Sequence, residues 1–328
     1  MGDRPLNDDR LVSVVIVTWN SSRFLPRCLD GVAKQTYPRI EIIHVDNGSA
    51  DDSVAIVGAT PARQIVNAEN RGFAAAANQG IAAAAGDFVL LLNPDAFLEA
   101  EYVERIVETF AEAGDEFGMA TGKLFRAAGD AIAATTVIDS KGIRMTRTGR
   151  HLDIAQGEPD VIEEAPYIEV FGVSGAAAMF RTTFIRDVSI DGEFLDEDFH
   201  TYREDADVAW RGRLFGWRAM YVPRAVAYHV RTVTPARRRA LPPFINMHSV
   251  KNRFLLRLKN EGLYLALRNA PFELPRDLVA IAATLTVERT SLPAFSWLWK
   301  NRRRIMAKRR EIQRRRRVSD RALAGWFR

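Results

Sequence analysis

The chain has 328 residues, 47% of them hydrophobic, with 46 basic and 41 acidic side chains and a formal net charge of +5. This length and apolar content support a large globular core and exclude a disordered chain. Its single cysteine, Cys28, excludes a disulfide framework or a cysteine metal site within one chain and is typical of a reducing, cytoplasmic compartment.

The charge is unevenly distributed. Residues 300–328 carry thirteen Lys and Arg against two acids, a net charge of +11, so the rest of the chain has a net charge of −6. This asymmetry indicates an anionic partner for the tail alone. The first ten residues are polar, and the longest uncharged stretch near the carboxyl end, Leu278 to Val287, is about half of the ~20 residues that a spanning helix needs. We therefore expect neither an export signal nor a membrane span.

The first hundred residues alternate between strand and helix patterns. β-Branched and apolar runs predict strands over Val12 to Val17, Ile40 to Val45, Arg63 to Val66 and Phe88 to Leu92. An alanine-rich helix precedes the last of these strands, with Gly86 as its predicted C-cap. The alternation predicts a parallel sheet with right-handed crossovers.

Polar loops follow three of these strands: Thr18 to Asn20, Asp46 to Ser49, and Asn93 to Asp95. In a parallel sheet such loops meet at one edge, where open α/β sheets place their ligands. Asn-Pro-Asp is also an ordinary turn sequence, because proline fixes φ and the flanking side chains bond to local backbone groups. Its place directly after a fully apolar strand favours the ligand site.

The middle of the chain is less regular. A helix is predicted over Ala100 to Ala113, and residues 119–166 give no clear pattern. A strand is predicted over Tyr167 to Val173, followed by the small residues Ser174 and Gly175. Small side chains let a bulky ligand approach the backbone.

Clustered acids begin the next predicted helix: Glu204, Asp205 and Asp207. The helix dipole stabilises acids in a first turn, so a well-capped surface helix is one explanation. The helical spacing allows an ion pair between Asp207 and Arg211, and it turns Asp205 away from Glu204, which leaves one carboxylate free for chemistry. Closing strands are predicted over Trp217 to Val222 and Ala225 to Tyr228, and they lead to His229, which is either structural or functional.

The order of these pieces resembles the family 2 glycosyltransferases. The matching segments run from Val14 to Asn20, Val45 to Ser49, Asn70 to Ala74, Leu92 to Ala96, Ser174 to Ala176 and Glu204 to Asp207. The resemblance covers residues 11–232. It implies a GT-A fold, Rossmann-like, with a mixed and mostly parallel sheet flanked by helices, and an inverting transfer from a nucleoside-diphosphate sugar.

The resemblance also implies roles for individual residues. The catalytic base would be Asp205. Residues of the donor site would be Thr18, Asn20, Asp46, Asn47, Arg71, Gly72, Asn93 and Asp95. Residues that support the base or the acceptor would be Ser174, Gly175, Glu204, Asp207 and Arg211. Asp95, together with His229, would hold a divalent metal, Mg²⁺ or Mn²⁺, on the diphosphate, and hard cations do take oxygen ligands.

One residue, Asn93, differs from the pattern of many family members and indicates a particular branch of the family. Many members of the family have an acidic residue where this chain has Asn93. A neutral amide at this place resembles the rhamnosyltransferase-like branch, which implies dTDP-rhamnose or a related UDP-sugar as donor. The acceptor implied is a saccharide or a polyprenyl-diphosphate-linked saccharide of a cell-surface polysaccharide.

Two other classes of protein remain as alternatives. A nucleotidyltransferase would share the sheet but is expected to have a Gly-rich, basic loop after the first strand, where this chain has Thr18 to Ser22. A non-catalytic protein that binds nucleic acid or membranes would explain the basic tail. The acidic body and the missing RNA-binding signature argue against nucleic acid as a partner.

We divide the chain at residue 246, into a GT-A domain over 1–245 and a helical, basic extension over 246–328. Phe295, Trp297 and Trp299 precede the basic run Lys300 to Arg317, as interfacial membrane segments require. We therefore predict a cytoplasmic protein that binds peripherally to the inner face of the cell membrane, with its basic tail on the anionic lipid surface. A solvated basic helix and nonspecific nucleic-acid binding are the alternatives.

Overall fold

The computed structural model describes residues 9–128, 132–231 and 242–328 of the chain. The strands within these ranges are β1 (Val12–Thr18), β2 (Ile40–Asp46), β3 (Arg63–Val66), β4 (Phe88–Leu92), β5 (Ala96–Leu98), β6 (Phe117–Ala128), β7 (Ala133–Ser140), β8 (Ile143–Met145), β9 (His151–Asp153), β10 (Ile168–Val170), β11 (Ala177–Arg181) and β12 (Arg218–His229).

The α-helices within the same ranges are α1 (Leu25–Ala33), α2 (Ser53–Gly58), α3 (Phe73–Ala83), α4 (Tyr102–Ala113), α5 (Thr182–Val188), α6 (Glu204–Leu214), α7 (Pro243–Asn260), α8 (Leu263–Thr286), α9 (Pro293–Lys300), α10 (Arg302–Arg315) and α11 (Asp320–Leu323). Short 3₁₀ turns connect several of them, including one at Glu197–Phe199.

One ten-stranded sheet organises the molecule. Its strands follow the order β10-β12-β6-β11-β4-β1-β2-β3, with β5 added beside β12 and β7 beside β6. Strands β3, β2, β1 and β4 are parallel to one another, whereas β11 runs antiparallel between β4 and β6. The prediction of a mixed α/β fold with a parallel amino-terminal half is confirmed.

Side chains from the two faces of the sheet enter two separate cores. In β1, Val14 and Ile16 pack with α1 and α4 on one face, while Val15 and Val17 pack with α3 on the other. All five residues of β4 are buried. Strands covered on both faces read as continuous apolar runs, which is why the sequence located them.

The predicted C-cap of α3 is wrong. The helix ends at Ala83 and its C-cap is Ala84. Gly86 has a different function, because a Cβ atom there would lie 2.7 Å from the backbone oxygen of Leu11. The lack of a side chain at Gly86 lets the beginning of β1 pass close to its backbone.

The two predicted closing strands form one twelve-residue strand, β12. Its pairing with β6 shifts in register between Val222 and Val226. Pro223 lies in this interval and has no N–H to donate to the ladder, which explains both the irregularity and the predicted break.

The carboxyl-terminal helices share the core of the sheet domain. Leu255 and Leu256 of α7, Ile305 and Ile312 of α10, and Phe327 are buried in the same cluster as α6 and β12. Apolar burial of this kind is the main stabilising contribution in folding. The domain boundary at residue 246 stays a prediction, but the helices beyond it pack against the body.

Part of the basic tail is neutralised by acids of the body. Lys308 lies 2.6 Å from Asp196, and Arg317 lies 2.8 Å from Asp187. Exposed arginines of α10 include Arg302 and Arg303. The charge available to an external partner is therefore smaller than the sequence indicates.

Among the described helices, none is by itself long and apolar enough to cross a membrane. Helix α8 and the segment Arg289–Lys300 meet the length and composition criteria only as a pair, bent by 108°.

Candidate functional site

A cleft of about 640 Å³ opens at the carboxyl ends of β1, β2 and β4. This is the edge at which the sequence predicts a ligand. The predicted donor-site residues that line it are Thr18, Asn20, Asn47, Gly72, Asn93 and Asp95. Trp19, Phe24 and Phe244 supply aromatic surface, and a nucleobase requires such surface for stacking.

Asp46 lies behind this wall. One of its carboxylate oxygens accepts a hydrogen bond from Thr18 Oγ1 at 3.0 Å, and the other accepts from the backbone N–H groups of Gly48 and Ser49 at 3.1 and 2.9 Å. The side chain is 1% exposed. Asp46 therefore fixes the loops after β1 and β2, and its contact with a nucleoside stays a prediction.

Asn47 connects the loop after β2 to the segment before α3. Its Nδ2 donates to Asn70 Oδ1 at 2.9 Å and to the Gly72 backbone oxygen at 3.2 Å, while its Oδ1 accepts from Arg71 N at 3.0 Å. The Arg71 side chain is exposed and lies outside the residues that line the cleft. Its predicted role in the donor site stays untested.

A second cavity of about 310 Å³ adjoins the cleft. Phe73, Asn93, Asp95, Thr201 and Tyr202 line both spaces, so the two meet at the Asn-Pro-Asp loop. The other predicted residues that line the second cavity are Ser174, Gly175, Glu204, Asp205 and His229. A ligand in the cleft and a ligand in the cavity would therefore meet at Asp95.

Asp205 faces this cavity from the first turn of α6. Its Oδ1 accepts from Ala206 N at 2.7 Å, and its Oδ2 accepts from Gly175 N at a long 3.4 Å. Burial raises the pKa of Asp205. Burial and the adjacent Asp205 carboxylate also raise the pKa of Glu204, whose buried Oε2 has no hydrogen-bond partner. Carboxylates with raised pKa values are suited to accepting a proton near neutral pH.

Asp207 points into the protein. Its carboxylate binds Arg211 Nε at 2.9 Å, Lys259 Nζ at 3.0 Å and Asn260 Nδ2 at 2.7 Å. The predicted Asp207–Arg211 pair is confirmed and is fully buried. The surface-helix alternative is wrong, because every residue from Ala206 to Leu214 is buried.

Asp95 and His229 face each other, with Asp95 Oδ1 3.4 Å from His229 Nε2. The other ring nitrogen, Nδ1, lies 2.8 Å from the buried Asp139. Burial favours the neutral ring, but hydrogen bonds to Asp139 and Asp95 raise the pKa of His229 to about 9. Metal-ligating histidines commonly have one ring nitrogen held by a carboxylate, as Asp139 holds Nδ1 here, and a metal bound between Nε2 and Asp95 would take the place of the Nε2 proton.

These residues fit a divalent cation that takes further ligands from its substrate. The described residues contain no group of three His, Cys, Asp or Glu that could hold a metal. Mg²⁺ and its relatives are commonly bound through one or two protein ligands together with substrate phosphates and water. Asp95 and His229 supply this number of ligands at the junction of the two spaces.

Several residues of the second cavity were not predicted from the sequence. They are His151 and Asp153 of β9, Arg203, and Arg231, which bonds to both Asp139 and Asp153. Burial and the charge of Arg203 lower the pKa of His151 to about 3, so its ring is neutral at neutral pH. His151 and Asp153 come from the irregular region, where no local pattern marks them.

The segment between the cleft and α6 has unusual backbone geometry. His200, Tyr202 and Arg203 have φ values of 66°, 65° and 74°, a region that non-glycine residues rarely adopt and that concentrates at functional sites. Gly72 lies so close to His200 that a Cβ atom would approach its Nδ1 to 2.4 Å. This packing holds the strained segment against the mouth of the cleft.

Comparisons with known proteins agree with this geometry. The model of glycosyl transferase family 2 matches residues 13–187, just over half of the chain. The chain is 27% identical over 267 residues to EpsH of Bacillus subtilis (strain 168), covering 80% of this chain and 68% of EpsH.

Two solved structures share the fold. S. aureus TarS is 17% identical, with a TM-score of 0.57 over 93% of this chain and 52% of TarS. The mannosyltransferase PcManGT from Pyrobaculum calidifontis, solved with GDP-Man and Mn²⁺, is 18% identical, with a TM-score of 0.53 over 94% of this chain and 84% of PcManGT. A shorter form of TarS, residues 1–349, was solved with UDP-GlcNAc. The chain spans about half the length of full TarS, and the likeness confirms the predicted GT-A fold.

Proposed function

The chain belongs to glycosyl transferase family 2, and we propose that it transfers a sugar, with inversion, from a nucleoside diphosphate to a saccharide acceptor. The prediction of a glycosyltransferase is confirmed at the level of the family. The observation that carries the proposal is the junction of the two spaces: Asp95 lines both, while Asp205 lines only the second. A donor in the cleft would meet an acceptor in the cavity at this point.

The nucleoside would occupy the cleft. Thr18 and Asn47 lie at the ends of β1 and β2, and Trp19 presents an aromatic surface that is 57% exposed. Base stacking on such a side chain tolerates different bases, so the hydrogen-bonding loops set the preference. The diphosphate would then extend toward Asn93 and Asp95.

Asp95 and His229 would hold the divalent metal. When bound, Mg²⁺ or Mn²⁺ neutralises the charge that develops on the leaving nucleoside diphosphate. Asn93 contributes a neutral amide beside Asp95, so the chain supplies a single carboxylate at this loop. The solved complex of PcManGT contains Mn²⁺, which supports a divalent metal without fixing its identity here.

Asp205 would be the general base. In one displacement, the acceptor oxygen attacks C1 of the donor sugar, the bond from C1 to the diphosphate oxygen breaks, and the acceptor proton passes to the Asp205 carboxylate. Attack on the face opposite the leaving group inverts the configuration and needs only one enzyme carboxylate. The second cavity positions Asp205 for this step, and Asp207 keeps α6 in place.

We further propose dTDP-rhamnose as donor, with a UDP-sugar as the alternative. The support is the Asn93-Pro94-Asp95 sequence, which resembles the rhamnosyltransferase-like branch, and the apolar ring of Phe73 at the junction, against which a deoxy-sugar methyl group could pack. The solved relatives contain UDP-GlcNAc or GDP-Man, so both belong in a test.

The proposed place of action is the inner face of the cell membrane, with a lipid-linked saccharide of a cell-surface polysaccharide as acceptor. The exposed arginines of α10 and the exposed Trp299 support an anionic surface as partner. Since α10 also contributes core residues, removing the tail would damage the fold, and single surface substitutions are the better probe.

A panel of nucleotide sugars tests the proposal. Purified protein with Mn²⁺ or Mg²⁺ is expected to release nucleoside diphosphate from one donor well above the rest, and the same donor should raise the melting temperature. We expect the strongest response with dTDP-rhamnose among dTDP-, UDP- and GDP-sugars. Folded protein that neither binds nor cleaves any of them would contradict the proposed function, and preference for another sugar would contradict only the rhamnose assignment.

Asp95→Ala should weaken donor binding by roughly tenfold or more in the presence of Mn²⁺, because it removes a metal ligand. Calorimetric titration of donor with and without EDTA measures the effect. EDTA should lower the donor affinity of the wild type to nearly that of the variant, and it should change the donor affinity of the variant little. Asp115→Ala, at an almost fully exposed carboxylate, is the control. Equal donor affinity in Asp95→Ala and wild type with Mn²⁺ would show that Asp95 holds no metal.

A further inference from the structure

Helix α8 buries polar side chains and exposes apolar ones, the opposite of an ordinary surface helix. Its buried side includes Asn269, Glu273, Asp277 and Thr284, all less than 10% exposed. The opposite side exposes Leu263, Leu267, Leu274, Leu278 and Leu285, each more than half exposed. Helices of soluble proteins direct the apolar stripe inward. A continuous apolar face of this size marks a surface that meets an apolar partner.

A cavity of about 630 Å³ lies beneath this helix, between α7 and α8. Its polar side includes the guanidinium groups of Arg203, Arg253 and Arg276, and its apolar side includes Phe272, Val279 and Ala283 of α8. Of the acids in this region, Asp277 is already bound to Arg253 at 2.8 Å, and Glu288 lines the cavity and has a partner of its own. The cavity thus combines concentrated positive charge with an apolar wall.

Arg203 is partly buried, and the charge of the nearby Asp205 compensates it only in part. Its Nη1 is buried without a hydrogen-bond partner, and none of the described acids lies within ion-pair distance of it. Burial, followed by the charges of Arg253 and Arg150, lowers the pKa of Arg203 to about 10. Burying a charged nitrogen such as Arg203 Nη1 without a partner is costly, because the group has lost water without gaining a hydrogen bond. An anionic ligand would remove this cost.

Arg203 also forms the boundary between this cavity and the acceptor cavity, because it lines both. Its backbone is held in the left-handed region directly before Glu204 and Asp205. A ligand with its anionic group at Arg203 would therefore place the next chemical group beside Asp205. On the other side it would contact Phe272 and Val279, two exposed apolar side chains of α8.

We propose where the lipid-linked acceptor binds: the cavity lined by Arg203, Arg253 and Arg276 holds the phosphate that joins its sugar to the lipid, and the leucine face of α8 lies in the membrane that carries the chain. This inference rests on the proposed function and specifies the binding site of its acceptor. Arginine binds phosphate through paired, charge-assisted hydrogen bonds. The linkage to phosphate stays intact during transfer, because only the donor C1–O bond breaks.

Vesicle sedimentation of the full chain tests the proposal with three surfaces: phosphatidylcholine alone, phosphatidylcholine with phosphatidylglycerol, and phosphatidylcholine with polyisoprenyl phosphate at matched surface charge. Wild-type protein should bind the polyisoprenyl phosphate vesicles most tightly. Charge-assisted hydrogen bonds are worth enough that Arg203→Gln with Arg276→Gln should weaken this binding roughly tenfold or more and remove the preference. Arg303→Ala with Arg310→Ala, on exposed arginines of α10, should lower binding to both anionic surfaces and keep the preference.

The apolar face is tested separately. Leu274→Ser with Leu278→Ser should weaken binding to all three vesicles and leave the melting temperature nearly unchanged, because both side chains are exposed. The double arginine variant should not lose stability either, since Arg203 Nη1 has no hydrogen-bond partner and Arg276 is exposed. Soluble short-chain isoprenyl phosphate should raise the melting temperature of the wild type and leave that of the double arginine variant unchanged.

Equal binding of wild type to phosphatidylglycerol and polyisoprenyl phosphate surfaces would overturn the proposal, as would an unchanged preference in the arginine variant. Stabilisation by inorganic pyrophosphate as strong as by the isoprenyl phosphate would also overturn it, because the site would then take free phosphate. Donor binding, measured in parallel, separates the two claims. If the protein binds no nucleotide sugar, the proposed function is wrong. If donor binding is intact but the lipid preference is missing, only this inference is wrong.

Discussion

Asp205→Asn is expected to keep donor affinity and to lose turnover by about 10²- to 10⁴-fold, the usual cost of removing a general base. The amide matches the carboxylate in shape and can still accept from Gly175 N, but it cannot take the acceptor proton. Single-turnover transfer and calorimetric donor binding measure the two effects separately. A parallel loss of donor affinity would indicate a role in binding and not in proton transfer.

The pH dependence follows from the same carboxylate. The base must be ionised, so turnover should fall as the pH falls through the pKa of Asp205. Because burial raises this pKa, the acid limb of the rate profile should lie above the range of an ordinary aspartate, near 3.9. Burial and the Asp205 carboxylate raise the pKa of Glu204 to about 8, so Glu204 is neutral where Asp205 titrates, and Glu204→Gln should leave the acid limb nearly in place with a small loss of rate. A large loss from Glu204→Gln, with Asp205→Asn nearly active, would transfer the role to Glu204.

Asp207→Ala is expected to destabilise the fold by about 3–5 kcal/mol, as is typical when one partner of a buried ion pair is removed. Arg211 and Lys259 would remain buried, at 1% exposure each, with less compensating charge. Asn260 would lose its 2.7 Å acceptor. Urea denaturation followed by tryptophan fluorescence measures the free energy of unfolding.

The matched control for this prediction is Asp30→Ala. Asp30 also pairs with a cation four residues along its helix, Lys34, but both side chains are more than half exposed, and such pairs contribute little. The comparison therefore isolates burial. If the two alanine variants unfold at the same urea concentration, the Asp207 network contributes no more than a surface pair.

Helix α6 thus has two distinct sides. Asp205 faces the acceptor cavity, whereas two residues later Asp207 fastens the helix to Lys259 and Asn260 of α7. The base is consequently positioned by the carboxyl-terminal helices.

The sequence by itself determined the parallel half of the fold. Strands β1 and β4 are apolar runs covered on both faces, and Thr18, Asn47 and Asp95 lie at or just beyond strand ends. Element type, the parallel pairing and the edge where loops meet follow from local periodicity and from the geometry of parallel crossovers. The helical spacing of Asp207 and Arg211 likewise required no tertiary information.

The tertiary structure decided whatever depends on partners distant in sequence. Asp139 reaches His229 across 90 positions, through the pairing of β6 with β7 and with β12. The tail's cations meet Asp187 and Asp196 over more than a hundred positions. Helix α8 reads as an ordinary mixed helix until its neighbours show which side is buried. Local sequence patterns predict whether a residue is buried or exposed and in which type of element it lies. Its contact partner depends on how elements distant in sequence pair and pack.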